Sequence, residues 1–508
     1  MANKTISIFI NAHQSYLEKS GLRAEKTSFF YEMAETYIPI LRFLDRVEEK
    51  KISSKLTFAL TPSLCALFSH EGIQNEFCQY LNDRIELAKK MLGKNPEKTA
   101  ILEKFIEKNL GLLEDFSNRY EKNLTDRFFR HYKSGHIDLA TTTATPLFIP
   151  FFDAFPSVVD AQFEAGITAF REFFEVTNGG FLIPHQFYSP ETERLIQLFG
   201  FKWICVDKSA FLGGNPTPSK GIFAPVVCPH GTIAVASDSR AEEDFFNKGG
   251  YATDGAFLDV ENDDSLFQRT GDSSEDWGKI PLGLCFTAKN GGVYDWEKAE
   301  EKAKMYAGEF WANCKNKLSS AAKIAKDDVN LTFFFNASTF GHTWSEGMVF
   351  LEELLRLAGD SAIFTKDVAE NYSPQEAFAP AVSTNRKSFA EDFLDKTNSW
   401  ALRYVQKSAE RMIELSKRFS HDSILKERIL SVAARQVLLM EDAYLLEMIK
   451  NENFAEETGN TLKELICNFS FLFDSLGSNK MNTEWLIRWE SSQRVFSNLN
   501  YRIFTPKI

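Results

Sequence analysis

Short, almost wholly apolar runs recur along this chain of 508 residues, and each is followed by a stretch with apolar positions three and four apart. Ile6 to Ile10, LTFALTP at 56–62, residues 137–142, GGFLIP at 179–184, FKWICVD at 201–207 and LTFFF at 331–335 are strand candidates. Helical spacing occupies the intervals: Ser28 to Arg46, about 72 to 133, 158–176, 190–199, 295–324 and the stretch opening with EGMVFLEELLRLAG. Strands that are apolar on both faces are covered by helices on both sides, so the alternation predicts an α/β fold with mostly parallel strands.

The pattern lapses twice. Gly-, Asp- and Ser-rich sequence from about 208 to 290 reads as long loops over the open end of a barrel or sheet, where sites are commonly built. Residues 361–396 read as a linker or irregular segment, and from about 400 to 478 successive amphipathic helices predict an α-helical C-terminal domain.

Fifty-eight Lys and Arg against seventy Asp and Glu give a net charge of −12, which argues against a nucleic-acid partner or an anionic membrane surface. No apolar run is long enough to span a membrane, the N-terminus lacks a signal segment, and the seven Cys show no CxxC, so the expected location is the cytoplasm. GxGxxG and GxxxxGK[ST] are absent, and no cofactor is expected.

Three polar clusters stand where predicted strands end: Asn11, His13 and Gln14; His185, Gln186 and Tyr188; and Asn336, Ser338, His342, Trp344 and Glu346. On a barrel, strand ends converge on one face, so these distant residues can surround one pocket. Taken singly, each also reads as an ordinary strand-end or capping residue. The stretch TFGHTWSEG at 339–347 is the densest, and its His, Trp and Glu suit a polyhydroxylated ring that needs an apolar face and directional polar contacts.

These motifs carry a resemblance. The chain resembles glycoside hydrolase family 57, and within it the 1,4-alpha-glucan branching enzymes. Asn11-Ala12-His13 matches the family's His-x-His with its first His replaced, and ETYIPIL at 35–41 follows at the expected place. GHIDLATTTATPLFIP at 135–150 keeps the next frame, with Asp138 as its acidic residue, Thr145 as its Thr and Pro146 where a His belongs. The nucleophile frame is present in GGFLIPHQFYSP, but His185 occupies the position of the Glu. NASTFGHTWSEG at 336–347 matches the acid/base motif, with Asn336 at the catalytic Asp and Ser338 at the motif's Glu, while Phe340, Gly341, His342, Trp344, Glu346 and Gly347 are retained. AARQVLL at 433–439 and VFSNLNYRIF at 495–504 are similar to the helical domain and closing segment of the branching-type proteins, except that their Ser-Asp-Trp is replaced around Glu441 to Tyr444.

The resemblance implies a distorted (β/α)7 barrel with inserted loops over residues 1–360, then the linker at 361–396 and the α-helical domain at 397–508. It also implies α-glucan or maltooligosaccharide as the partner, with His13, His342, Trp344 and Glu346 as binding residues; beyond the motif positions, Tyr188 and Trp277 read as ring-stacking residues for a sugar and fit a core role equally well. Retaining glycoside chemistry needs two carboxyl groups, and both positions are substituted here. The expectation is therefore a catalytically silent or strongly impaired protein that keeps a glucan-binding groove. One alternative is an active branching or glucan-modifying enzyme using Asp138, Asp207, Glu346 or the acidic loop at 261–276. Another is an interaction or structural role without sugar binding, the protein partner being unspecified. His13, His185 and His342 offer imidazoles that suit zinc, but three strand-end histidines need not point at one centre, and no metal is expected.

Overall fold

The computed structural model describes residues 2–17, 24–50, 55–92, 96–175, 179–265, 281–375, 380–452, 454–478, 483–492 and 494–507. Its centre is a parallel sheet of β1 (Lys4–Ala12), β2 (Leu56–Leu60), β3 (Ile137–Leu139), β4 (Thr141–Thr142), β5 (Gly180–Leu182), β6 (Trp203–Asp207), β8 (Ile233–Asp238) and β9 (Val329–Asn336). The order is β3-β2-β1-β9-β8-β6-β5-β4. Only Ala140 separates β3 from β4, so the two ends of that order are one interrupted strand, and the sheet closes as a barrel of seven strand positions. The short β7 (Val226–Val227) adds an antiparallel edge on β8, and β10 (Ala362–Ile363) pairs with β1.

Parallel register stacks the interior in layers. Along β1 and β9, Thr5 pairs with Asn330, Ser7 with Thr332, Phe9 with Phe334 and Asn11 with Asn336; because side chains alternate between faces, these pairs all point inward. Phe9, Phe334, Ala59, Ala140, Leu182, Trp203, Cys205 and Val235 form the apolar middle layer. Below it lie the hydroxyls and amide of Thr5, Ser7, Asn330 and Thr332, each with a hydrogen-bond partner, as buried polar groups require. Above it lie Asn11 and Asn336, at the strand ends.

Two expectations change here. The segment 208–290 contains a barrel strand, β8, and the helix Arg240–Phe246, because TIAVASD at 232–238 is an apolar run hidden by the Gly, Asp and Ser around it. Residues 361–396 are no passive linker either. The helix Thr365–Asn371 plugs the N-terminal end of the barrel with Val368 and Ala369, Tyr372 bonds Thr5, and Lys366 pairs with Asp138 at 3.2 Å. Residues 381–385 then cross the strand ends: Tyr188 and Ser383 exchange backbone hydrogen bonds at 2.8 and 3.1 Å, and the N–H of Asn385 donates to the His185 carbonyl at 3.1 Å.

The helical stretch at 72–133 resolves into Glu71–Leu92, Thr99–Glu114 and Leu124–Lys133. The C-terminal region is helical, through Ser399–Arg418, Ile424–Met440, Ala443–Lys450, Ala455–Ser478 and Thr483–Ser492, around a core that includes Val405, Met412, Leu430, Val437, Leu462 and Phe469. No described helix is long and apolar enough to cross a membrane.

Candidate functional site

The strand ends enclose a cavity of about 60 Å³ whose lining includes Asn11, Asn336, His185, Arg386 and Tyr444. That volume holds a few waters, whereas small-ligand pockets run to roughly 300–1,000 Å³.

His185 is 8% exposed. It follows Pro184 in a left-handed backbone conformation, φ 54°, continued by Gln186 at φ 48°, a local cost that neighbouring contacts must outweigh. Its Nε2 lies 3.0 Å from the carbonyl oxygen of Pro146 and so carries the proton. Phe393 and Tyr444 pack against the ring at centroid distances of 4.8 and 5.3 Å. Burial, with the Arg386 charge adding to it, holds His185 well below the usual histidine range, so the ring is neutral.

Across the cavity, the Asn336 amide lies 3.2 Å from that of Asn11, and both the backbone N–H and Nδ2 of Asn336 donate to Glu242, at 3.0 and 2.9 Å. Thr339 Oγ1 also donates to Glu242. Burial raises the Glu242 carboxyl despite these donors.

The helical domain closes the third side. His13 stacks on Tyr444 with ring centroids 4.8 Å apart; its Nδ1 meets Thr61 Oγ1 at 3.0 Å and its Nε2 meets Asp442 Oδ2 at 3.2 Å. Arg386 spans from the crossing segment to a two-pronged pair with Glu447 and lies over Phe393 and Tyr444. The Pro146 carbonyl that holds His185 also accepts the N–H of Ala443 at 3.1 Å.

Of the sequence-derived candidates, His13, His185, Asn11 and Asn336 therefore meet at one place. Tyr188 is fully buried beneath the crossing segment, and Gln186, also buried, donates to Ser237 at 2.8 Å. Trp344 is 1% exposed and packs among Phe245, Phe257 and Phe350, a core position. His342 meets Ser28 Oγ at 3.1 Å beside the Tyr31 ring, and burial pushes it down to about 4. The Ser338 carbonyl accepts from Thr343. Trp277 lies outside the described residues. Asp138 sits at the plugged end of the barrel, and Asp207 caps the following turn through Ser209 N at 2.8 Å.

Glu346 belongs to a different recess. It is 2% exposed; its Oε1 accepts from the Leu258 N–H at 3.0 Å and from the Tyr294 hydroxyl at 2.6 Å, and its Oε2 has no hydrogen-bond partner. It lines a cleft of about 500 Å³ that is also bounded by Tyr294, Trp296, Arg42, Arg46 and Glu352. An aromatic face beside planar charged groups is the donor set a polyhydroxylated ring needs.

Sequence reasoning missed Glu242, Arg386 and the roles of Asp442 and Tyr444. The replaced motif at Glu441–Tyr444 was the one available signal, while Glu242 and Arg386 fell in stretches read as loop and linker.

Residues 7–237 match the glycosyl hydrolase family 57 model, and residues 404–504 match the C-terminal model of 1,4-alpha-glucan branching enzymes. A curated relative, the 1,4-alpha-glucan branching enzyme TK1436 of Thermococcus kodakarensis, is 20% identical over 475 residues, which is 86% of this chain and 68% of that protein. Among solved structures, the alpha-amylase AmyC of Thermotoga maritima shares the fold at TM-score 0.90 and 24% identity over 100% of both chains. The family 57-type branching enzyme of Pyrococcus horikoshii does so at 0.88 and 19%, over 99% of this chain and 97% of that one.

Proposed function

We infer, for a chain that belongs with the branching-enzyme-like proteins of glycoside hydrolase family 57, that it binds α-glucan without cleaving or transferring it. The observation that carries this reading is the state of the two positions where the resemblance implies carboxylates. His185 is a neutral imidazole tied to the Pro146 carbonyl, and Asn336 is an amide tied to Asn11 and Glu242. Neither supplies the attacking carboxylate or the proton exchange at neutral pH on which retaining chemistry depends, and loss of a general acid alone costs about 10²–10⁴ in rate.

The strand-end cavity of about 60 Å³ admits no glucosyl unit, so this reading places the glucan in the cleft of about 500 Å³, on the Trp296 face. The names of the relatives, branching enzyme and alpha-amylase, supply the substrate class. Isothermal titration with maltoheptaose, on the native chain and on Trp296→Ala, is run beside an assay for new α-1,6 branches and released oligosaccharides from amylose. Saturable binding that Trp296→Ala abolishes, with no product, is the expected result. Product formation overturns the silent half, and absence of binding to maltooligosaccharides and glycogen overturns the glucan half.

One observation favours a second reading, residual catalysis by a replacement acid. Glu242 places a carboxyl with a raised pKa against Asn336, and such a group is suited to proton donation. This reading requires turnover that Glu242→Gln removes, and an opening of the strand ends wide enough for a glucosyl unit, which the cavity of about 60 Å³ does not admit as it stands.

A further inference from the structure

We propose that Glu48, His131 and His136 bind a divalent transition-metal ion of the zinc type, at the N-terminal end of the barrel and apart from the strand-end cavity. Glu48 lies near the end of the helix Ile38–Lys50, His131 near the end of Leu124–Lys133, and His136 directly before β3. Barrel topology brings the ends of these helices and the start of the strand to one rim. One ligand atom from each of the three residues lies within 4.8 Å of the others.

The imidazoles are arranged for ligation. His131 is 1% exposed, and its Nε2 lies 3.0 Å from Asp45 Oδ1. Asp45 is a carboxylate that also receives Arg127, Arg119 at 2.9 Å and the Tyr120 hydroxyl at 3.0 Å, so it accepts and Nε2 donates. That fixes the His131 tautomer and leaves Nδ1 with a bare lone pair. This Nδ1 has no hydrogen-bond partner and lies 4.0 Å from Glu48 Oε2. His136 Nδ1 is likewise buried and without a partner, in a ring whose centroid is 5.8 Å from that of His131. A carboxylate behind a histidine whose other nitrogen is free is the usual support of a ligating imidazole.

Two imidazoles and one carboxylate suit zinc and its neighbours in the first transition row, with water completing a tetrahedron. Metal–nitrogen bonds of about 2.0–2.1 Å in a tetrahedron bring ligand atoms to roughly 3.3 Å from one another. The contraction this requires is shared by the two rings and by Glu48, whose side chain is 48% exposed and free to swing. The ion ties two helices to the opening of β3, a role separate from the glucan reading above.

The test uses the full chain, stripped with chelator and titrated with Zn²⁺ by calorimetry, then with Co²⁺ as a spectroscopic probe. Expected are one equivalent bound at micromolar affinity or tighter, the visible absorption of tetrahedral Co²⁺, and a higher melting temperature with metal. Glu48→Ala and His136→Ala, at half-buried or exposed positions, each weaken binding at least about tenfold. His131→Gln also disturbs Asp45, so the other two variants decide the matter once circular dichroism shows them folded. No stoichiometric binding overturns the proposal, as does affinity unchanged in both folded variants.

Discussion

The carboxyl of Glu242 accepts hydrogen bonds from two nitrogens of Asn336, the backbone N–H and Nδ2. An Asp at position 336 would turn this donor–acceptor pair into two facing carboxyls, which share a proton rather than both ionising. Asn336→Asp is therefore expected to lower stability by roughly 1–3 kcal/mol at pH 7.5. The folded-state pKa of the pair rises, so the loss grows as pH climbs from about 5 to 8. Urea unfolding at both pH values checks this, and Glu242→Gln in the same chain should recover most of the loss. His185→Glu with Asn336→Asp, assayed on amylose, should remain inactive, since the cavity of about 60 Å³ still excludes a glucosyl unit.

His342 is buried and held down to about 4, against an ordinary value near 6.5. A histidine depressed in the folded state contributes stability that is present above about 6.5 and is lost as pH falls, at up to about 1.4 kcal/mol per unit. Moving from pH 7.5 to 5.5 should cost about 1 kcal/mol through this residue. His342→Gln should flatten the urea-derived stability profile by that amount over this interval, and an unchanged slope would refute it.

Burial pushes the Glu441 carboxyl up to about 8, with Gln162 Nε2 donating to its Oε2 at 2.6 Å and no partner on Oε1. A carboxyl raised in the folded state is neutral there while the unfolded chain ionises above about 4.3. Stability falls as pH rises from that value through about 8. Glu441→Gln keeps the shape and removes the titration, so by linkage it should stabilise the protein by up to roughly 4–5 kcal/mol at pH 8 and change little at pH 4.5. Denaturant midpoints at the two pH values measure the difference.

Trp344 is packed among three Phe rings, and its Nε1 has no hydrogen-bond partner. Trp344→Ala should cost about 3–5 kcal/mol through the cavity it leaves. Trp344→Phe removes an unpaired N–H along with some volume and should cost under about 1.5 kcal/mol. Neither folded variant should alter maltoheptaose affinity. A selective loss of binding in Trp344→Phe would return this residue to the sugar site.

The barrel was legible because its strands are continuous apolar runs, and the family frames placed Asn11, His185 and Asn336, which the fold brings to one cavity, and His13, which stacks on the Tyr444 that lines it. What escaped has physical reasons. β8 follows a Gly, ends in Ser and Asp and sits in a stretch rich in all three, so composition led 232–238 to be read as loop, and Glu242 was lost with it. Arg386 acts through a crossing whose backbone pairs with Tyr188, a contact nearly two hundred residues away that no local pattern encodes. A strand-end motif specifies where its backbone lies but not which side of the following helix each side chain takes. Trp344 therefore entered the core and Glu346 a separate cleft. The His131–His136 pair drew no notice because its third member, Glu48, lies on another helix.

The carbonyl of Pro146 holds the His185 ring with one lone pair and the first turn of Ala443–Lys450 with the other, while residues 383–385 bind the chain at 185–188 in return. Each half of the molecule thus holds a piece of the other in place, and neither can loosen first without stripping its partner of hydrogen bonds. The expected consequence is that barrel and helical region melt together, read as a single calorimetric peak, where a chain of this length with independent domains would give more than one transition.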